Sequence, residues 1–421
     1  VPTHAPLVLI GVGDSAAYRK DVLASIAAKH PIVGVDTAEP AWARPYLTRI
    51  ITADLSDTAA VLGAVSTYSN DHTVGGVLAY MEHHVQTAAL LAQHLGLPGS
   101  SPQSMAACRD KALSRRLMAE QQVPSARFVQ ASSPEAAAAF ADLMGYPVIV
   151  KPRSQAGSAG VVRADTAAAV RAAFHEASRA SVMDLHRYGP AGVLVEEYLD
   201  GPEISVETAV LGAGRVRILA VTRKLPAPAN STQEYGHVVD ARDPLLHEPA
   251  LIQLIESAVA AHDITLGVLC IEVKLTSAGP RIVEVNGRLG GDLLPVLVRR
   301  AMGIELAQVA ADLAAGMQPR LRPVLQRAAA VAFAYPSTSG TLQQLALRTE
   351  RAQTPGLERM VLTHTPGALV SAPPQATLAD RLAHWIVLGA TADECRTRLT
   401  QAAGLLDVQI ARPAYAPACT A

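Results

Sequence analysis

Apolar residues in the first hundred positions fall alternately into short continuous runs and helical stripes. The runs at 7–12, 32–36 and 74–80 predict strands. The stripes at 17–29, 58–68 and 84–95 predict helices; the last aligns Val85, Ala88, Ala89, Leu91, Ala92 and Leu95 on one face and stops at Gly96. Such alternation predicts a parallel, doubly wound sheet. Beyond a loop at 98–102, a single helix is expected over 105–121, carrying Arg109, Lys111, Arg115 and Arg116. Further helices are expected at 134–144, capped by Ser133, and at 166–178, with strands at 128–130, 146–152, 192–198, 203–211 and 216–223. Residues 225–246 are polar, proline-bearing and aperiodic, the profile of an active-site loop. A helix at 249–261 precedes two strands, 269–275 and 281–286, and a helix ending near Ala315. From about Arg320 the pattern becomes irregular, with turns at 336–340 and Pro373-Pro374, and predicts a smaller appended lobe.

With 421 residues the chain is too long for one core. Half of it is apolar and 17% is charged, a globular composition. The net charge of −1 gives no electrostatic pull toward nucleic acid or an anionic membrane, so neither is expected as a partner. Cys108, Cys270, Cys395 and Cys419 form no CxxC pair and read as thiols of a reducing compartment. No apolar run reaches the length of a membrane span and the start lacks a signal peptide's pattern, so a soluble, cytoplasmic protein is expected.

The two strands at 269–286 carry the most chemistry. If Thr276 and Pro280 flank a three-residue loop with Gly279 left-handed, Glu272 falls opposite Glu284. Alternation then puts Ile271, Val273, Val283 and Val285 on one face, and Glu272, Lys274, Glu284 and Asn286 on the other. Like charges directly opposed destabilise a sheet, which implies a bridging cation. An all-oxygen set of this kind suits Mg²⁺ that also shares substrate phosphates.

Four other segments compete with plainer readings. Gly11-Val12-Gly13-Asp14-Ser15-Ala16, with Asp36 ending the next strand, satisfies a dinucleotide fingerprint, although any tight strand-to-helix turn needs such glycines. Ser154, Gly157, Ser158 and Gly160 lie in a small-residue loop after Val150-Lys151-Pro152, fit to wrap phosphate oxygens beside a lysine. The bend Glu196-Glu197-Tyr198-Leu199, followed by Glu203, can read an adenine edge and ribose hydroxyls; exposed acids flanking a turn are the plain alternative. Glu234 and His237 sit in the long polar segment after Lys224, while Glu82, His83 and His84 read as a ligand cluster or as a helix cap lining a cleft. No HExxH, GxSxG or Walker pattern occurs, which removes zincin, serine-hydrolase and P-loop readings.

In this order, Lys111, then VIVKP with the glycine loop, then VEEYLDGPE, then IEVK and IVEVNGRLGG, the motifs resemble the ATP-grasp superfamily over roughly residues 1–320. The segments TRKLPAP with QEYGHVV, and EHHVQTAALLAQHLGLPG, are most similar to L-amino acid ligases, the dipeptide synthetases. The resemblance implies an α/β (α+β) ATP-grasp fold: a Rossmann-like domain at 1–102, a small lobe with the glycine-rich lid at 103–200, a large lobe with the metal and substrate site at 201–320, and a C-terminal lobe at 321–421. It further implies that Lys111 and Lys151 contact ATP phosphates under the lid, that Glu196 with the backbone of Glu197 and Leu199 reads adenine, and that Glu203 binds ribose. Glu272, Glu284 and Asn286 would hold about two Mg²⁺, with Mn²⁺ a substitute. Arg288, with His237, would stabilise an oxyanion and Glu234 a substrate amino group, while Glu82, Lys224, Gly290 and Gly291 would line the substrate site. The implied activity joins a carboxylate to an amine through an acylphosphate, on small-molecule substrates; the oligomeric state is left open by the sequence, with a homodimer one expectation. Two rival readings are a biotin-type carboxylase or purine-pathway ligase on the same nucleotide site, and an NAD-dependent redox or binding protein using residues 11–16.

Overall fold

The computed structural model describes residues 5–181, 190–212, 214–227, 233–348 and 354–412. The first unit contains β1 (Leu7–Ile10), α1 (Ala16–Ala27), β2 (Ile32–Asp36), β3 (Arg49–Thr52), α2 (Thr58–Asp71), β4 (Gly76–Leu78) and α3 (Val85–His94). Its sheet has the order β3-β2-β1-β4 and every pairing is parallel. The strand β3 escapes the sequence reading because its four residues are only partly buried and their pattern is short.

The single helix expected over 105–121 is two: α4 (Pro102–Arg109) and α5 (Lys111–Glu120). Asp110 breaks it with extended backbone, and its side chain accepts from the amides of Ala112 and Leu113. The apolar stripe runs through the break, so only the capping chemistry of Asp110 marks it. Next come β5 (Phe128–Ala131), α6 (Pro134–Met144), β6 (Val148–Pro152), β7 (Val162–Ala164), α7 (Ala167–Ser181) and β8 (Val193–Glu197). Ser133 caps α6 as expected, accepting from the amide of Ala136 at 3.1 Å. The strands form an antiparallel sheet ordered β5-β8-β6-β7, whose core with α6 and α7 is rich in alanine and valine.

The large sheet is antiparallel throughout, ordered β13-β12-β9-β10-β11-β14-β18-β16. Its strands are β9 (Glu203–Leu211), β10 (Val216–Lys224), β11 (Gly236–Asp240), β12 (Leu266–Thr276), β13 (Gly279–Asn286), β14 (Ala328–Ala334), β16 (Leu357–Leu362) and β18 (Ala383–Gly389). The helices α8 (Pro249–Ala261), α9 (Leu294–Met302) and α10 (Leu306–Ala314) accompany it. A separate sheet joins β15 (Gly340–Leu347), β17 (Leu369–Val370) and β19 (Leu406–Ala411), the last of which follows α11 (Ala392–Ala403). The strands β14, β18 and β16, all beyond residue 320, thus extend the large sheet. The segment read as an aperiodic loop contains β11, which is short and lies between β10 and β14; part of that loop, residues 228–232, lies outside the described residues.

One face of the large sheet buries Val206, Val221, Ile271, Val273, Ile282 and Val285 against Leu251, Leu254 and Ile255 of α8. Each such side chain stabilises the fold by roughly 1.5–3 kcal/mol. On the other face, Ala209, Ala220, Val268 and Cys270 pack beneath α9 and α10. That second face turns polar toward the opposite end of the strands, and the site lies there.

Candidate active site

The polar face can be read from the strand registers, because directly paired residues project to the same side. One row runs His237, Lys224 on β11 and β10, with Glu203, Lys274 and Arg281 continuing on β9, β12 and β13. The next row runs Thr222, Ser205, Glu272, Glu284, and the third runs Ala220, Glu207, Cys270, Asn286. Glu272 does face Glu284, but by another route than expected. The turn is shorter, pairing Thr276 with Gly279, and a register shift skips Val283 between the Val273–Ile282 and Glu272–Glu284 pairs. The two deviations cancel at the carboxylates. They also correct the apolar face, where buried Ile282 takes the place assigned to Val283, whose carbonyl accepts from Arg115 at 2.6 Å.

Each carboxylate of the pair has its own cation. Lys111, first residue of α5, donates to Glu284 and to the Gln155 carbonyl, both at 2.7 Å. Asp110 sets that position twice over, as helix cap and through Arg153, at 2.7 and 2.5 Å. Burial would raise the Glu284 carboxyl, but Lys111 outweighs it and holds it below the ordinary range. Lys224 contacts three acids, Glu203, Glu234 at 2.7 Å and Glu272 at 3.3 Å. Burial and the neighbouring acids push Glu272 up despite Lys224. Among the described residues no group of three His, Cys, Asp or Glu side chains is arranged around one point to hold a metal. The donor set is two opposed carboxylates beside an amide, Asn286, whose Nδ2 donates to the Cys270 carbonyl at 3.1 Å and leaves its oxygen available. That set fits Mg²⁺, a hard cation completed by phosphate and water oxygens.

Lys151 on β6 pairs with Glu196 at 2.7 Å, and Arg115 joins them at 3.0 Å, all three buried. The Glu196 side chain is therefore the counter-ion of two cations. Burial lowers Lys151, while Arg115 and Lys151 together hold Glu196 below its ordinary value against burial. Glu197 is tied to Arg127 and Arg281, each at 2.8 Å, and Leu199 is buried. In the loop at 154–160, Gly157, Ser158 and Gly160 all adopt left-handed backbone. A Cβ on Gly160 would come within 2.6 Å of Ala180, and one on Gly157 within 2.7 Å of Leu378, so the loop lies close on both sides. Ser154 donates to the Pro190 carbonyl at 2.8 Å.

After β13 the chain turns through Gly287, Arg288, Leu289, Gly290 and Gly291 to Asp292 and Leu293, whose φ values are +50° and +65°. Such backbone is strained for non-glycine residues and gathers at functional sites. Arg288 contacts Glu82 at 2.5 Å, and Arg109 holds the other oxygen of Glu82 at 3.2 Å. Glu82 is thus a buried mount for Arg288. Gly290 admits no side chain, since a Cβ would meet Glu207 Oε1 at 2.7 Å; space is open at Gly291. His237 lies in β11, with Nε2 3.3 Å from Asp292. Arg381 grips both Asp292 oxygens, at 2.7 and 2.8 Å, donates to the Tyr335 hydroxyl and stacks 3.7 Å from the Phe333 ring centre. It outweighs burial and holds the Asp292 carboxyl far below the ordinary range.

Glu207, Asp292 and Arg381 are not among the residues singled out in the sequence, and Arg109 and Arg115 are placed there on the helix of Lys111 without a role. Asp292 stands directly after the Gly290-Gly291 pair and was within reach; Arg381, some ninety residues away, carries no local signal. The sequence-level fingerprint at residues 11–16 is used internally. Gly13 N–H donates to Asp36 at 2.9 Å, Tyr80 and Trp42 bond the Val12 and Gly13 carbonyls, and the His84 ring lies 2.2 Å from where a Gly11 Cβ would sit. His84 starts α3 without a side-chain cap, and burial pushes both His83 and His84 down to about 4. Cys108, Cys270 and Cys395 are buried free thiols, and no described helix is long and apolar enough to cross a membrane.

Comparison with known proteins finds likenesses of domain and fold. An ATP-grasp domain pattern matches residues 144–296, an ATP-grasp N-terminal domain pattern residues 20–99, and L-amino acid ligase C-terminal domain 2 residues 332–411. The uncharacterized protein y4rH of Sinorhizobium fredii is 26% identical over 90% of this chain and 78% of its own length. Carnosine synthase 1 of Homo sapiens is 26% identical over 58% of this chain, which spans only 31% of that enzyme. The crystal structure of an L-amino acid ligase from Bacillus licheniformis superposes over 98% of this chain and 100% of its own, with TM-score 0.81 at 21% identity, a likeness of fold.

Proposed function

We propose that this chain, a member of the ATP-grasp superfamily, is an ATP-dependent ligase that joins the carboxylate of one amino acid to the amine of another. The observation that carries the reading is a run of polar contacts across the sheet face, from Lys111 of α5 through Glu284, Glu272 and Lys224 to Glu234 and His237, with Asp292 3.3 Å from His237. ATP would lie between the small lobe and the large, with adenine read by the backbone of Glu197 and Leu199 and ribose bound by Glu203. Lys111 and Lys151 would face its phosphates, giving up Glu284 and Glu196 as partners. Glu272, Glu284 and Asn286 would hold Mg²⁺, which when bound neutralises phosphate charge.

A carboxylate is a poor acyl donor, so it attacks the γ-phosphate, forming an acylphosphate and ADP. The lid at 154–160 keeps water from that intermediate. Glu234 holds the first amino acid's ammonium group. The second amino acid's amine attacks the acyl carbon, Arg288 stabilises the oxyanion, and the C–O bond to phosphate breaks to leave an amide and phosphate. The amine must lose a proton. Asp292, kept ionised by Arg381, accepts the Nε2–H of His237, which leaves the Nδ1 lone pair to take that proton. The test is a screen of amino-acid pairs for ADP release, with products identified by mass spectrometry. Release requiring both a carboxylate and an amine is expected; dependence on bicarbonate instead would replace this reading with a carboxylase.

A further inference from the structure

Four arginines near the Gly287–Leu293 turn or on α1's flank hold carboxylates. Arg109 and Arg288 hold Glu82, Arg381 holds Asp292, and Arg359 holds Asp21 at 2.7 Å. Arg19 does not. Its guanidinium makes no hydrogen bond or ion pair with any described residue and is only partly exposed, stacked 5.3 Å from the Tyr80 ring centre. Leaving a cation in such a seam without a partner is costly, and a planar guanidinium fork matches a carboxylate.

Its surroundings place it at the reaction end of the site. Arg19 is on the first turn of α1, directly after the glycine turn, and Tyr18 beside it lies 5.1 Å from the His384 ring and 6.5 Å from Phe333, under Arg381. Tyr80 is two residues from Glu82, the mount of Arg288. Burial and Arg288 hold Arg19 below its ordinary value, and Tyr80, Asp292 and Asp14 oppose them.

Resting on the ligase reading, we infer that Arg19 binds the α-carboxylate of the second, amine-donating amino acid. The first amino acid's carboxylate is consumed at the phosphates. The second keeps its carboxylate as a spectator, which must be held beyond the carbonyl under attack, and Arg19 is the cation there that is unpaired among the described residues. This would make the enzyme selective for free amino acids over simple amines at that position.

The experiment compares steady-state ADP release by the full chain and its Arg19→Gln and Arg19→Lys variants. The amine donor is supplied either as a free amino acid or as its α-amide. Loss of a charge-assisted contact predicts that KM for the free amino acid rises about 10–100-fold in Arg19→Gln. KM for ATP, for the acid donor and for the α-amide should stay within about twofold, with Arg19→Lys intermediate and melting temperatures unchanged. Equal KM for the free amino acid in variant and parent, or a rise confined to the acid donor, overturns the inference. Absence of amine-dependent ADP release in the parent chain would instead remove the ligase reading, and this inference with it.

Discussion

The glycine turn at residues 11–16 and the β12–β13 hairpin both look like ligand motifs, yet they are used in opposite ways. In the turn, the amide that could bind a phosphate is bonded to Asp36, and His84 lies over Gly11. In the hairpin, two carboxylates face each other across a strand pair, each tied to a lysine brought from another element. The turn's polar groups satisfy one another; the hairpin's carry a charge conflict that a cation would relieve. A motif marks backbone geometry, and what it can bind depends on whether its polar groups are tied to one another, as in the turn, or to cations carried on other elements, as in the hairpin.

Substitutions at both motifs test this difference. Glu284→Gln should lower turnover about 10³-fold or more with little change in melting temperature; near-parental ligation would remove the metal assignment. Asp292→Asn turns the His237 tautomer, since an amide can donate to Nε2, and should lower kcat about 10²-fold. Steady-state kinetics at temperatures where the variant is folded would check it, and an unchanged kcat would exclude His237 as base. Glu207 gives a stability effect. Burial pushes its carboxyl up to about 7, so the unfolded chain ionises first as pH rises. Its contribution is greatest at acid pH, falls up to about pH 7, and is level above. Glu207→Gln should therefore gain about 2–3 kcal/mol over the parent in urea unfolding at pH 8 and little at pH 4.5. Equal differences at both pH values would contradict a neutral buried carboxyl. Asp36→Ala should have the smallest catalytic effect, costing about 1–3 kcal/mol in stability while kcat/KM stays within about twofold. A loss of turnover at unchanged stability would make the turn a ligand site after all.

Much of the fold was legible in the sequence because periodicity and capping are local signals. Ser133, the strand Ile32–Asp36 and the helix Pro249–Ala261 fall where they were expected. The break at Asp110 was missed because the apolar stripe continues through it. The Glu272–Glu284 pairing was reached with the wrong turn, since a shorter loop and a bulge compensate each other. The residues Lys111, Lys224, Glu234, His237 and Arg288 do converge, but the groups that orient them do not show in sequence. Arg115 meets Glu196 across 81 positions and Arg381 meets Asp292 across 89, distances at which no local pattern survives.

The proposed ligase reaction requires that a carboxylate be activated by phosphorylation on this sheet face. With the acid donor labelled with ¹⁸O in both carboxylate oxygens, mass spectrometry of the released phosphate tests it most directly. One labelled oxygen should appear in phosphate for each amide formed, because the oxygen that attacked phosphorus leaves with it. Amide formation with unlabelled phosphate would contradict the acylphosphate route.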